Sequence, residues 1–267
     1  MNIFLREMKA NRKALIIWSI CMILFMLTSM QKYAGLAGSG ANIADFTAML
    51  DSMPKALQAL LGLSSLDITT PIGYYGVLFP FLLLIGGIHA SMLGANIISK
   101  EERDKTVEFL MVKPVTRSSI ITSKIMASLT NIVVINIVTF FSTMLFLTSY
   151  TTDSVLTKII LATIGMFMVQ LLFLVIGIGM ATMSKNYKKS GSNTVFIILT
   201  CYFLSIIIDM TGKLDMLNIL TPFKYFDAKE FLVTNKLNVG YIALTLAIIL
   251  VTLIPAYRQY NKRDLNF

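Results

Sequence analysis

The sequence predicts an all-α integral membrane protein with six transmembrane helices, and three observations carry that prediction. Mean hydropathy is +0.75, with 56% hydrophobic and 14% charged residues, whereas soluble domains hold about a quarter charged. The apolar residues gather in six runs, 14–30, 74–98, 125–149, 155–183, 194–210 and 239–257. Each is near the roughly 20 residues a helix needs to cross the hydrocarbon core. The alternating segments that mark an outer-membrane barrel are absent.

Residues 1–13 place Phe4, Met8 and Leu15 on one helical face and Arg6, Lys9 and Lys13 on another. That spacing predicts an N-terminal amphipathic helix on the inner leaflet ahead of the first span; the plainer reading is a set of basic flanks. The N-terminus also has signal-peptide character, but 17 apolar residues without an A-x-A site point to a retained first helix. Cys21 and Cys201 both fall inside predicted spans, so no disulfide is expected.

Between spans 1 and 2, Gly35–Gly40 reads as a turn. Ile43, Phe46, Met49, Leu50, Met53, Leu57, Leu60 and Leu61 then recur at helical spacing. Pro54 suits a fresh N-terminus and Gly62 a C-cap, so two short external amphipathic helices are predicted here. In span 2, Pro80 removes a backbone donor and predicts a kink. Gly86, Ala90 and Gly94, with Gly87, Ser91 and Ala95 beside them, form two rows of small residues. Such rows let helices approach closely, as a packing seam or as the wall of a pathway. His89, the one histidine, sits mid-span between them. An ionisable group there is a candidate for a proton relay or cargo contact, although a neutral imidazole bonded to a carbonyl explains it too.

Spans 3 and 4 form a hairpin through Tyr150–Ser154, and Asn131, Asn136 and Gln170 within them are expected to bond across helices. A small loop, SKNYKKSGS, joins spans 4 and 5. Asp209 at the outer end of span 5 is expected to pair with Lys213. Residues 211–238 mix polar and apolar types around Pro222 and read as external; span 6 ends at Pro255, before the basic tail RQYNKR. Seventeen Met and seventeen Phe suit a pathway for varied apolar cargo, and equally the filling of an irregular bundle. The two halves show no convincing repeat.

The net charge of +9 is distributed as a membrane topology rather than as a nucleic-acid footprint. With both termini inside, 16 of the 23 Lys and Arg fall in the shorter cytoplasmic segments. That is the positive-inside bias of a multi-pass protein of the cytoplasmic (inner or plasma) membrane, with membrane lipid and no nucleic acid as its surroundings.

The segment 99–124, SKEERDKTVEFLMVKPVTRSSIITSK, is a charged island between spans 2 and 3. Ser99 followed by Glu102 has the form of a capping box, predicting that a helix begins there, with acids in its first turns. Val107, Leu110 and Met111 share a face, and Pro114 ends the helix. An apolar face with charged flanks fits a groove on a soluble partner or a lipid surface.

These residues resemble the signature of type-2 ATP-binding-cassette (ABC) export permeases. In that family the loop between helices 2 and 3 runs Glu, Thr-x-Glu-Leu-Leu, Pro-Val-Ser/Thr-Arg, then Lys. Glu102, Thr106, Glu108, Leu110, Pro114, Arg117 and Lys124 match it, while Lys105 stands where Gly is common. The Met53–Gly62 stretch of the first external loop is similar too. The resemblance implies a permease that pairs with a second permease, identical or related, on two cytoplasmic ATPase subunits. The loop would be a cytoplasmic coupling helix, with Lys185 and Lys188 in a smaller second contact. It implies export of a hydrophobic or amphipathic cargo such as an antimicrobial or toxic peptide, a drug or a lipid. No G-x-x-x-x-G-K-[ST] occurs, so no cofactor is expected on this chain; ATP and magnesium would belong to the partner.

Two other classes compete. An ion-gradient-driven secondary transporter or channel would carry several intramembrane acids, and Asp209 alone supports it poorly. A membrane enzyme would need a convergent nucleophile, base or metal set that one His and two separated Cys do not supply.

Overall fold

In lipid, an apolar run can satisfy its own backbone only as a helix or a closed barrel. In the computed structural model six runs do so as helices: α1 Ile3–Gly38, α2 Pro71–Arg103, α3 Arg117–Thr148, α4 Leu156–Met183, α5 Tyr187–Thr211 and, after a short α6 (Ala228–Thr234), α7 Val239–Lys262. The structure describes residues 3–38, 52–54, 57–58, 66–103, 116–151, 154–184, 187–211 and 214–262, and among these there is no strand. All six long helices have the length and composition to cross a membrane. Each predicted run lies on one of them to within a residue.

Several ends differ from expectation. The N-terminal segment is not a separate interfacial helix, because α1 is continuous from Ile3. Nothing between Lys13 and Leu15 breaks a helix. The predicted apolar face exists but is spent on protein: Phe4 and Met8 pack on a basal core cluster and Leu15 on the main core. Nor does a helix begin at Ser99. Its hydroxyl donates back to the Ala95 carbonyl at 2.7 Å, and α2 runs through it to Arg103. α5 starts at Tyr187, shortening the loop before it, and α7 passes through Pro255 without ending. Beyond that proline Ala256 and Tyr260 are buried in the basal cluster, and that packing carries the helix onward.

At the start of α2 the chain caps itself. Asp67 Oδ1 accepts from the amide and hydroxyl of Thr69, and Thr70 Oγ1 accepts from the Gly73 amide, with Pro71 at the first helical position. The external helices predicted before it lie mostly outside the described residues. At Pro54, however, the carbonyl accepts from Leu57 and Gln58 as in a first turn.

α2 is the hub, and α4 is its most extensive partner. The small-residue rows make that possible. A Cβ on Gly94 would run into the Leu174 carbonyl of α4, and one on Gly177 into the Ser91 carbonyl of α2, so the two backbones touch. Gly87 lies under the Phe173 ring and Gly86 under the Gln170 amide.

Residues 215–234 do more than join spans 5 and 6. Two 3-10 turns, Asp215–Leu220 and Pro222–Lys224, followed by α6, fold back into the bundle. Phe223, Tyr225, Phe226 and Phe231 are all buried. Phe223 meets Phe173 of α4 and Tyr202 of α5, ring centroids 5.5 and 5.4 Å apart, and Phe231 meets Phe79 of α2 edge-on at 5.2 Å.

Candidate functional site

The start of α1, the end of α2, the start of α3 and the end of α7 converge on one face, called basal here. Thr116 caps α3, its hydroxyl accepting from the Ser119 amide at 3.2 Å. α2 therefore ends at Arg103 and α3 begins at a defined, capped N-terminus, with residues 104–115 between them outside the described residues.

Charged and polar side chains lock that exit and return together. Lys124, about two turns inside α3, is fully buried, and its Nζ donates to the Ile97 carbonyl of α2 at 2.5 Å. Glu7 of α1 is fully buried as well, with Arg6 Nη2 at 2.9 Å and Lys100 Nζ of α2 at 3.4 Å. Asn131 of α3 donates to the Ala127 carbonyl at 2.7 Å and lies 3.3 Å from Met8 Sδ. From α7, the Tyr257 hydroxyl donates to the Ser118 carbonyl at 2.8 Å and meets Thr122 Oγ1. Ile97, Ile98, Ile120 and Ile121 fill the space between. Four helix ends are thus tied into one block around the loop.

Of the sequence candidates, Arg117 opens α3. Thr106, Glu108, Leu110, Pro114 and Lys185 lie outside the described residues, as do the side chains of Glu102 and Lys188. Gly86, Ala90 and Gly94 are buried in the interior, the two glycines against α4. His89 is 4% exposed, edge-on to Trp18 of α1 at 5.4 Å, and its Nδ1 has no hydrogen-bond partner among the described residues. Asn136 Nδ2 donates to Gln170 Oε1 at 2.5 Å, the cross-helix bond expected of them. Glu7 was missed, because a single acid among basic residues looks like part of a solvated face.

At the opposite face, Lys224 Nζ lies 2.5 Å from Asp209 Oδ1 and 3.1 Å from Asp227 Oδ2, with Lys229 3.6 Å from Asp209. Burial pulls the Lys224 ammonium down, but the Asp227 and Asp209 carboxylates outweigh it and the net shift is upward. Asp209 thus holds the folded-back segment, while Lys213 lies outside the described residues. A cavity of about 300 Å³ beside it is lined by Asn218, Glu230 and Tyr241.

Fold and basal block together define a multi-pass α-helical membrane protein. A family model described as ABC-2 family transporter protein matches residues 1–265. The chain belongs to that family, whose members are the permease subunits of ABC transporters. A comparison with curated proteins finds no match.

Proposed function

We propose that this chain is the permease of an export complex that moves a hydrophobic or amphipathic cargo (an antimicrobial or toxic peptide, a drug or a lipid) across the cytoplasmic membrane. ATP is hydrolysed, with magnesium, on two separate cytoplasmic ATPase subunits, and a second permease completes the complex. Residues 99–124 dock on the ATPase through Glu102, Thr106, Glu108, Leu110, Pro114 and Arg117, with Lys185 and Lys188 adding a lesser contact. Both termini then face the cytoplasm.

The observation that carries this reading is the basal block. A loop that only reversed the chain needs no buried lysine tying its two stalks together. A loop that receives a push does, because rigid stalks convert displacement of the loop into displacement of helices. The Lys124–Ile97 bond supplies that rigidity within a chain of the ABC-2 family.

The test is purification of the full chain expressed with its chromosomal neighbours. The expected result is a co-eluting ATPase with measurable ATP hydrolysis, lost or uncoupled on Glu108→Ala or Arg117→Ala while membrane insertion is kept. A chain that inserts and purifies with no ATPase overturns the reading.

A further inference from the structure

The first turns of α1 hold a carboxylate that loop docking does not use. Glu7 is 0% exposed, where an unpaired charge would be strongly destabilising. It is held by Arg6 on its own helix and, across 93 residues of sequence, by Lys100 on the last turn of α2. A helix meant only to rest on lipid would turn its acid to water. Here the acid faces the stalk that enters the loop, and Ile3, Phe4 and Met8 around it pack with Ile97, Ile98, Ile120 and Ile121 of both stalks.

α1 continues without a break from this contact to the far face. Its 36 residues span about 54 Å at 1.5 Å per residue. There the Tyr33 hydroxyl donates to the Thr69 carbonyl just before α2 at 2.8 Å. α1 is accordingly joined to α2 at both of its ends. Between these ends Met22, Met26 and Met30 are buried in the main core, with Leu15, Trp18 and Phe25 packed on it. Ile16, Ile17, Ile20 and Leu24 face outward, so α1 moves as one wall of the bundle.

We propose that Glu7 is a positioning residue through which the α2 stalk drives α1. Displacement of the loop reaches Lys100, is passed to the buried carboxylate, and swings α1 as a rod. This rests on the docking reading above. Without the Glu7–Lys100 pair, α2 and α3 still respond to the loop, and α1 follows only through its packing on α3.

The experiment uses the complex co-purified with its ATPase in nanodiscs, in a chain carrying Cys21→Ser and Cys201→Ser. Lys32→Cys reports on the far end of α1 and Met216→Cys on the folded-back segment; both sites are exposed. Labelling by a bulky maleimide is compared between nucleotide-free and ATP-vanadate states. With Glu7 intact, both reporters should change rate. Glu7→Gln and Lys100→Gln should each shrink the Lys32→Cys change about fivefold or more, within the range of ordinary site-to-site couplings. The double variant should lose no more than either single one, and Lys100→Arg should restore the response. The Met216→Cys change and ATP hydrolysis should persist throughout.

An undiminished Lys32→Cys response in both single variants overturns the inference, since Glu7 then drives nothing. So does equal loss at both reporters together with hydrolysis, which marks a purely structural pair. No nucleotide-dependent change at either reporter with Glu7 intact overturns the docking reading, and the lever falls with it.

Discussion

Lys124 of α3 donates to the Ile97 carbonyl of α2 from a fully buried position, tying the helix that leaves the basal loop to the helix that enters it. The carbonyl already lies within a helix, so this bond is additional to the helical ladder and its strength is that of a charge-assisted contact. Lys124→Met keeps most of the volume and loses the bond, and should cost about 1–3 kcal/mol in the apparent stability of the detergent-solubilised chain. Lys124→Ala also opens a cavity and should cost more. Thermal unfolding of the three chains side by side checks the order; equal midpoints would mean the bond stabilises nothing.

The close approach of α2 and α4 makes a second prediction at Gly94. Any Cβ there meets the backbone of Leu174 rather than a movable side chain, so the helices must part. Gly94→Ala should destabilise by about 1–3 kcal/mol, as overpacking does. Gly35→Ala in α1 is the control, with nothing within 4 Å of the added methyl, and should be neutral or stabilise by up to about 1 kcal/mol. Similar losses at both positions would show that α2 and α4 are not in backbone contact.

Composition and run length read the six spans correctly, because in lipid an unbroken apolar run has one solution. What they misread are places where two structures share a sequence pattern. Ser99 and Glu102 have capping-box spacing, but a serine inside a helix can bond back to the carbonyl four residues earlier, and Ser99 does. The stretch 222–231, PFKYFDAKEF, gives no sign of packing on the bundle because Lys224, Asp227 and Lys229 break its apolar residues. Those charges are met by one another and by Asp209, which leaves four aromatic rings free to enter the bundle. At the basal block, Arg117 and Lys124 were legible from the loop pattern. Glu7 and the Ile97 carbonyl were not, since a partner 93 residues away and a backbone oxygen leave no periodic trace.

Lys224 gives a pH-dependent prediction. Its raised pKa means that the folded chain holds the proton more tightly than the unfolded chain does. The stabilisation is therefore fully present below the ordinary lysine value of 10.5 and fades as pH rises through the higher folded value. Lys224→Met should lower stability by about 1–2 kcal/mol near neutral pH, the carboxylates left behind being partly hydrated. The gap between the two chains should stay constant up to about pH 10 and close above that. Unfolding midpoints of both across this range measure it; a gap that widens with pH would reverse the sign.

Phe231 tests whether the folded-back segment is held by its aromatic residues. It is 1% exposed and meets Phe79 of α2, so Phe231→Ala empties a site enclosed by rigid helices and should cost about 3–5 kcal/mol. Val233, two residues on and 76% exposed, should tolerate Ala within about 0.5 kcal/mol. The loss should be local before it is global, because the six spans keep their own packing when the segment lifts. Limited trypsin digestion from the far face separates the two. In Phe231→Ala, cleavage at Lys229 and Lys236 should accelerate well ahead of any loss of helicity, and in Val233→Ala it should match the unaltered chain. If cleavage and helix loss advance together, the segment is part of the cooperative core rather than an element seated upon it.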